Sequence, residues 1–203
     1  MKIFCIGRNY VAHAQELNNE VPDEPLIFMK PPTSLLKDRQ PFFYPGFSSN
    51  VHFEGELVLR IEKNGAHIKE KFAHKYFSQI TLGIDFTARD IQQKLKEKGH
   101  PWEISKGFDR AAAIGEWLTL ADLPDPNAIR FTIEKNGETV QQGNTELLIF
   151  PFRQLIAYIS KYFMLQQGDL IYTGTPAGVG PVQIGDELTG SIEGQELLRC
   201  EIR

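Results

Sequence analysis

Residues 51–65 of this chain have the sequence VHFEGELVLRIEKNG. Apolar and polar residues alternate along much of this stretch, as they do in a β-strand with one buried face. Asn64 and Gly65 then form a dipeptide that favours a tight turn between antiparallel strands. The stretch therefore predicts a strand over Val51–Lys63 that ends in a hairpin.

The same signal occurs twice more, in the second half of the chain. Ile129–Lys135 runs into Asn136-Gly137. Further on, Glu193-Gly194 separates two strand-like segments, Glu187–Ile192 and Glu196–Ile202. We therefore expect three hairpins and antiparallel pairing in a sheet that closes near the C-terminus.

Helical periodicity is clear in few places. One helix is predicted to begin at Thr87, whose spacing to a following aspartate is that of a capping box, and to stop at Gly99. Another is predicted over Phe152–Phe163, where apolar residues recur at helical spacing. The proline-rich segments Pro22–Pro32 and Pro41–Pro45 have no period and are expected to be extended loops. The predicted fold class is a β-rich α+β fold with a few short helices.

Length and composition indicate one ordinary globular domain over residues 1–203. The chain has 203 residues, of which 41% are hydrophobic and 24% charged, so disordered and fibrous classes are excluded. A length of this order is enough to bury a sizeable core. No internal repeat, low-complexity run or interdomain linker divides it.

Net charge and cysteine content exclude further classes of protein. The net charge of −4 lacks the basic excess of a nucleic-acid binder. Cys5 and Cys200 have neither the number nor the spacing of a disulfide framework or zinc site, and no role is assigned to them. No signal peptide or membrane-length apolar run is present, so a cytoplasmic protein without a membrane partner is expected.

Two carboxylates on the opening stretch are candidates for metal binding. Glu54 and Glu56 are two residues apart on the predicted strand and so point to one face. A hard divalent cation would neutralise such a pair, although a solvated strand face has the same pattern and is favoured by the spacing alone. Asp85 follows the apolar strand Ile80–Ile84 and is a third candidate, with a turn or capping role as the alternative.

Three further groups could take part in chemistry. His13 and Glu16 are three residues apart, so one helical turn would place a base beside an orienting carboxylate. Lys106 could hold a substrate carboxylate or an oxyanion. Residues 173–180, TGTPAGVG, form a glycine-rich loop whose amides could bind an anion, but the loop lacks the ending of a nucleotide-phosphate motif. For each group, an ordinary surface or turn role is the alternative.

The motifs together resemble those of the fumarylacetoacetate hydrolase family. They follow one another in this order: GRNY with His13 and Glu16, KPPTS, HFEGEL, GIDFTARDIQ, the segment around Lys106, and TGTPAGVG. The resemblance spans nearly the whole chain and overturns the solvent interpretation of the glutamates. It implies a mixed, β-sandwich-like roll, a divalent metal and a homodimer. It also implies a catalytic domain alone, as in the short acylpyruvate hydrolase branch.

The resemblance also implies roles for individual residues. Matched by position, the metal ligands are Glu54, Glu56 and Asp85, holding Mg²⁺ or Mn²⁺, with Ca²⁺ conceivable in a crystal. The catalytic residues are His13 and Glu16, on a lid segment, and Lys106. Polar substrate contacts are expected from Arg8, Gln92 and Thr175.

The expected reaction is metal-dependent cleavage of a carbon–carbon bond in an acylpyruvate, a small 2-oxo acid, to pyruvate and a carboxylic acid. His13 and Glu16 would deprotonate water, and Lys106 would stabilise the oxyanion. Decarboxylation of oxaloacetate and isomerisation of a hydroxy-dienedioate are alternatives, because both also pass through an enolate or dienolate. A metal- or ligand-binding protein without catalysis is an alternative of another class.

Overall fold

The computed structural model describes residues 1–16, 20–37 and 39–203. The strands in these ranges are β1 (Ile3–Gly7), β2 (Leu26–Lys30), β3 (Leu35–Leu36), β4 (Val51–Phe53), β5 (Gly55–Arg60), β6 (Gln79–Asp85), β7 (Thr87–Ala88), β8 (Ala112–Ile114), β9 (Leu118–Thr119), β10 (Arg130–Lys135), β11 (Glu138–Asn144), β12 (Leu170–Tyr172), β13 (Gly180–Pro181), β14 (Glu187–Ile192) and β15 (Gln195–Glu201). They form three sheets. The largest has eight strands in the order β2-β1-β12-β5-β6-β8-β3, with β9 beside β6. The others are β11-β10-β14-β15 and β13-β4-β7.

The helices are few and short, as the sequence predicted. They are α1 (Val11–Glu16), α2 (Glu70–Ala73), α3 (Arg89–Glu97), α4 (Glu103–Lys106) and α5 (Phe152–Tyr162). Among the described residues, none of these helices has the length and apolar character needed to span a membrane. The β-rich α+β class is therefore confirmed.

The largest sheet is mixed rather than purely antiparallel. β1 runs parallel to β12, and β3 runs parallel to β8, whereas the other pairs of this sheet are antiparallel. The β1–β12 pair joins Ile3 to Leu170. The hairpin signals predicted antiparallel pairing for their own strands only. The two parallel pairs could not be found in this way, because parallel neighbours are distant in the sequence and leave no turn signal.

Two of the three predicted hairpins are confirmed. β10 and β11 are joined by Asn136-Gly137, and β14 and β15 by Glu193-Gly194. Each turn has two residues of positive φ, 55° and 82° in the first and 47° and 82° in the second. This geometry matches the right-handed twist of the paired strands.

The hairpin predicted at Asn64-Gly65 is wrong. β5 ends at Arg60, and its antiparallel partner β6 begins only at Gln79. Gly65 instead pairs with Leu165, each backbone amide donating to the other residue's carbonyl at 2.9 and 2.8 Å. A distant partner thus determines the conformation of this dipeptide.

Two further sequence predictions need correction. The proline-rich segment from Pro22 to Pro32 contains the regular strand β2, which pairs with β1 at the edge of the largest sheet. Thr87 does not cap a helix, because it lies in β7 and its hydroxyl donates to Glu54 Oε1 at 3.1 Å. Helix α3 therefore begins at Arg89.

The ends of the two main helices agree more closely with the prediction. After α3, Gly99 has a φ of +64°, and the amide of His100 donates to the carbonyl of Leu95 at 2.9 Å. Helix α5 covers the predicted segment except for its last residue, Phe163. Leu155 and Ile159 are buried on its apolar face, which confirms the structural role expected of this helix.

The main core lies between the largest and the four-stranded sheet. Leu82 from β6, Ile133 from β10 and Leu198 from β15 belong to one buried cluster. A smaller cluster, which includes Cys5 and Val58, lies elsewhere on the largest sheet. The C-terminal end of β6 and the start of β5 are thus held rigidly, and the candidate site is built there.

Candidate active site

Glu54, Glu56 and Asp85 form a buried acidic triad where β4, β5 and β6 meet. Glu54 joins β4 to β5, Glu56 lies on β5, and Asp85 ends β6. The amide of Asp85 donates to the Glu54 carbonyl at 2.8 Å. One carboxylate oxygen from each residue lies within 4.8 Å of those of the other two. The side chains predicted from the sequence are therefore brought together.

The glycine between the two glutamates is required by sheet packing. A Cβ atom on Gly55 would lie 2.3 Å from Cγ1 of Ile133, which projects from the facing sheet. The Gly55 amide donates to Oε1 of Gln141 at 2.8 Å. The backbone that carries Glu54 and Glu56 is thereby pressed against β10 and β11 and fixed in place.

Three cations surround the triad. Lys106 Nζ donates to Glu54 Oε2 and to Asp85 Oδ2, each at 2.8 Å. Lys30 Nζ forms an ion pair with Asp85 Oδ1 at 2.7 Å. A guanidinium nitrogen of Arg89 lies 2.5 Å from Glu54 Oε1. Glu54 and Asp85 are therefore each contacted by two cations, of which Lys106 is shared between them.

Glu56 has a different environment from its two neighbours. Its Oε2 accepts a hydrogen bond from the Gly174 amide at 2.6 Å, and the structure gives it no ion pair among the described residues. Burial raises the pKa of the Glu56 carboxyl well above its usual value, and the charges of Asp85 and Glu54 act in the same direction. Glu56 thus carries the least compensated carboxyl of the triad.

The pKa values of Lys106 and Glu54 are both shifted so that the charged form of each side chain is favoured. Burial opposes ionisation of Glu54, but the positive charges of Lys106 and Arg89 outweigh it and hold its pKa well below the usual range. Burial likewise disfavours the ammonium of Lys106, but the charges of Asp85 and Glu54 raise its pKa. This ion pair is therefore charged at neutral pH.

The donor set of the triad fits a hard divalent cation. Three carboxylates supply the oxygen ligands that Mg²⁺, Mn²⁺ and Ca²⁺ prefer, and all three side chains are buried. Like charges this close repel unless a cation lies between them. Glu54, Glu56 and Asp85 are the residues that would hold such an ion.

His13 and Glu16 lie on α1 beside the triad. Their side chains are joined by a contact of 3.1 Å between His13 Nδ1 and Glu16 Oε2. The second oxygen of Glu16 accepts a hydrogen bond from the Gly178 amide at 2.9 Å. Glu16 therefore orients the imidazole and also ties α1 to the glycine-rich loop. The spacing of three residues had predicted the contact within α1.

One cavity collects most of the predicted side chains. Seven of them line it, namely Arg8, His13, Glu54, Glu56, Gln92, Lys106 and Thr175. The other two predicted residues lie behind this surface. Glu16 contacts His13, and Asp85 accepts a hydrogen bond from Lys106, and both partners line the cavity. All nine residues therefore belong to one constellation, while their individual roles stay predictions.

Comparison with known proteins agrees with this arrangement. The family model described as fumarylacetoacetate (FAA) hydrolase C-terminal matches residues 2–203. The chain belongs to the fumarylacetoacetate hydrolase family. The predicted family is thus confirmed, as is its mixed fold of sheets with few short helices.

Two relatives and one solved structure illustrate the family likeness. The chain is 38% identical over 201 residues to mouse mitochondrial oxaloacetate tautomerase FAHD1, covering 99% of this chain and 91% of the mouse protein. It is 40% identical over 197 residues to oxaloacetate tautomerase YcgM of Escherichia coli K12, covering 97% and 90%. The crystal structure of fumarylpyruvate hydrolase from Pseudomonas aeruginosa in complex with Mn²⁺ and pyruvate superimposes with a TM-score of 0.93 at 35% identity, covering 100% and 89%.

These comparisons bear on the broader predictions. An enzyme of the fumarylacetoacetate hydrolase family with a divalent-metal site is supported by the triad and by the Mn²⁺ complex of the Pseudomonas protein. The single domain over residues 1–203, the homodimer and the cytoplasmic location stay predictions.

Sequence reasoning missed three residues of this family site. Lys30 and Arg89 contact the triad, and Gln141 links Gly55 to the Thr175 hydroxyl, to which its amide donates at 2.8 Å. Lys30 is the first residue of KPPTS and Arg89 lies within GIDFTARDIQ, so both belong to motifs on which the family resemblance depends. Gln141 carries no local signal, because it lies on a strand of the other sheet.

Other sequence candidates have structural roles. Asp90 lies in the first turn of α3 and accepts a hydrogen bond from the Ser48 hydroxyl at 2.6 Å, away from the triad. In the glycine-rich loop, the Gly174 amide holds the protein's own Glu56. Cys5 and Cys200 are buried, and burial raises both thiol pKa values. This environment agrees with assigning them no chemistry.

Proposed function

We propose that this chain is a divalent-metal-dependent enzyme acting on the enol of a small dicarboxylic 2-oxo acid, with keto–enol tautomerisation of oxaloacetate as its reaction. One observation carries the proposal: two carboxylates of the acidic triad, Glu54 and Glu56, line the same cavity as the imidazole of His13. A site for chelating a 2-oxo acid and a proton carrier are therefore adjacent. The oxaloacetate tautomerases that resemble the chain over nearly its whole length support the choice of substrate.

The charge of the cavity supports a dicarboxylate. Besides Lys106, three cationic side chains line it, namely Arg8, Arg89 and Lys96. Burial lowers the pKa of Lys96, and the positive charges of Arg8 and Arg89 lower it further. Because cations attract anions, a cavity wall with several cationic groups favours an anionic substrate. A dicarboxylate carries two anionic groups and fits such a wall better than a monocarboxylate.

Proton transfer falls to His13. Its Nδ1 is occupied by Glu16, which leaves Nε2 as the ring nitrogen for accepting and returning a proton. In the keto form the C3–H bond breaks and its electron pair forms the C2–C3 double bond, while the carbonyl oxygen gains a proton. The net change moves one hydrogen from carbon to oxygen. A divalent ion held by the triad would polarise the 2-oxo group and so acidify this C–H bond.

Lys106 and the polar contacts complete the assignment. Lys106 supplies a fixed positive charge beside the substrate oxygens, since two carboxylates hold its ammonium in place. Arg8, Gln92 and Thr175 line the cavity, where they would contact the substrate. Mg²⁺ and Mn²⁺ are both suitable ions for the triad.

A second candidate function is hydrolysis of an acylpyruvate at its carbon–carbon bond. The likeness to fumarylpyruvate hydrolase in complex with Mn²⁺ and pyruvate favours it. In this reaction His13 and Glu16 would deprotonate water, and Lys106 would stabilise the oxyanion. Decarboxylation of oxaloacetate requires the same enolate but no attacking water. The reactions differ in their products, so product analysis separates them.

The test is a parallel assay of the Mn²⁺-loaded protein with oxaloacetate and acetylpyruvate, with and without excess chelator. Chelator-sensitive equilibration of the oxaloacetate enol absorbance without release of pyruvate is the expected result. Pyruvate formed from oxaloacetate would establish decarboxylation instead, and loss of acetylpyruvate would establish hydrolysis. Tight oxalate binding without turnover of either compound would favour a binding protein. Full activity in chelator would contradict the metal-dependent mechanism.

A further inference from the structure

Phe28 and Trp102 form an aromatic wall at one side of the cavity. Phe28 lies on the edge strand β2, and Trp102 immediately precedes α4. The two rings pack edge to face, with centroids 5.9 Å apart and an interplanar angle of 63°. Both side chains are half-buried. The pair is thus a packed contact between two separate elements.

The aromatic wall lines two neighbouring cavities. One of its sides faces the cavity that holds His13 and Glu54. The other side faces a groove whose lining includes Leu26, Met29 and Pro101. The first cavity is rich in charged groups, whereas the groove is lined mainly by apolar residues, with His100, Glu103 and Lys106 as its polar members. Phe28 and Trp102 therefore stand between a polar reaction site and an apolar space beside it.

The wall is close to the reacting groups. Lys106 lines both cavities, and its Nζ lies 5.1 Å from the centroid of the Phe28 ring. A substrate held beside Lys106 and extended toward this side would meet the two rings within a few bond lengths. The groove beyond them could bury an apolar chain only if one ring were removed.

We infer that Phe28 and Trp102 limit the length of the substrate, restricting the site to short 2-oxo acids by closing it off from the apolar groove. The inference rests on the proposed function, because it assigns the selectivity of the same site. Trp102 is the better residue to change, since the hydrogen bonds that start α4 use its backbone carbonyl and not its indole. Loss of the Phe28 ring would also disturb Lys106.

The experiment measures binding of straight-chain 2-oxo acids, from pyruvate to 2-oxooctanoate, to the Mn²⁺-loaded protein by titration calorimetry. The wild-type protein is expected to bind 2-oxooctanoate more weakly than pyruvate. Trp102→Ala should shift the ratio of the two affinities toward 2-oxooctanoate by about tenfold or more, or about 1.4 kcal/mol. Trp102→Leu, which keeps more bulk and secures the test if the alanine variant unfolds, should shift it by a smaller factor.

Trp117→Ala is the matched control. Trp117 packs against Arg60 outside both cavities and should leave the affinity ratio unchanged. The inference is overturned if the wild-type protein binds both acids equally, if both Trp102 variants keep the wild-type ratio, or if Trp117→Ala shifts it equally. Turnover of oxaloacetate is measured separately. Its absence alongside a shifted ratio would contradict the proposed function but not the length limit.

Discussion

Replacing Lys30 by methionine removes the most deeply buried cation of the site. Its side chain is fully buried, and its Nζ lies 2.7 Å from Asp85 Oδ1. The same ammonium donates to the carbonyls of Ala111 at 2.9 Å and Phe86 at 3.2 Å, and also to the carbonyl of Lys106. One side chain thus joins β2 to the end of β6 and to α4. Methionine keeps much of the volume but none of these interactions.

The expected loss of stability follows from these contacts. Removing one partner of a buried ion pair costs about 3–5 kcal/mol, because the other charge is left uncompensated. Lys106 still contacts Asp85, which reduces this term. Each carbonyl that loses its donor adds about 1 kcal/mol, and the apolar methionine offsets part of the total. We therefore expect the free energy of unfolding to fall by about 4 kcal/mol.

The assay is equilibrium urea unfolding, followed by circular dichroism, with excess chelator so that bound metal adds no stability. Lys69→Met is the matched control at an exposed position and should change the free energy of unfolding by less than about 0.5 kcal/mol. In the double variant with Asp85→Asn, the two losses should sum to more than the measured loss, since the uncompensated charge is gone. A loss below about 1.5 kcal/mol for Lys30→Met would refute the reasoning.

Three further predictions concern metal binding, proton transfer and acid stability. Glu56→Gln should weaken Mn²⁺ binding by about a hundredfold in titration calorimetry, whereas the exposed control Glu70→Gln should not change it. His13→Asn should lower kcat for oxaloacetate enolisation by about a hundredfold or more with Mn²⁺ affinity retained; equal loss of both would contradict its assignment as the proton carrier. Burial opposes ionisation of Asp90, but the hydrogen bond from Ser48 and those from backbone amides together outweigh it and lower the carboxyl pKa. Its ionised form therefore stabilises the fold above the unfolded pKa of about 3.9, and this contribution is lost as the pH falls through the lower, folded pKa. Asp90→Asn should thus reduce the urea midpoint at pH 7, and the difference from wild type should shrink in acid; a difference independent of pH would contradict this.

The sequence was informative wherever a structure depends on neighbouring residues. The contact between His13 and Glu16 needs only one helical turn, and the turn at Asn136-Gly137 needs only its two strands. The dipeptide at Asn64-Gly65 has the same composition but a different structure, because Gly65 pairs with Leu165. Local turn preference is real but weak, and a distant partner overrides it.

The supporting residues of the site could not be found in this way. Lys30 contacts the carbonyl of a residue 56 positions away, and the Gln141 side chain accepts from an amide 86 positions away. A lysine or glutamine in a strand has no pattern that indicates burial, since both residue types are usually exposed. Only the packing of β2 and β11 against the triad shows that these two side chains are internal.

The charges around the triad show which of its carboxylates the chain itself compensates. Glu54 and Asp85 are held by Lys106, Arg89 and Lys30, so the carboxylates that join the strands are neutralised by the chain itself. Glu56 instead accepts the Gly174 amide, and Gly174 has a φ of +103° and would bring a Cβ within 2.6 Å of Asn9 Cβ. The backbone thus directs an amide at a carboxylate that forms no ion pair within the described ranges. Because a dipole compensates a buried charge only in part, the raised pKa of Glu56 follows, and a divalent cation is the group that would supply the missing positive charge.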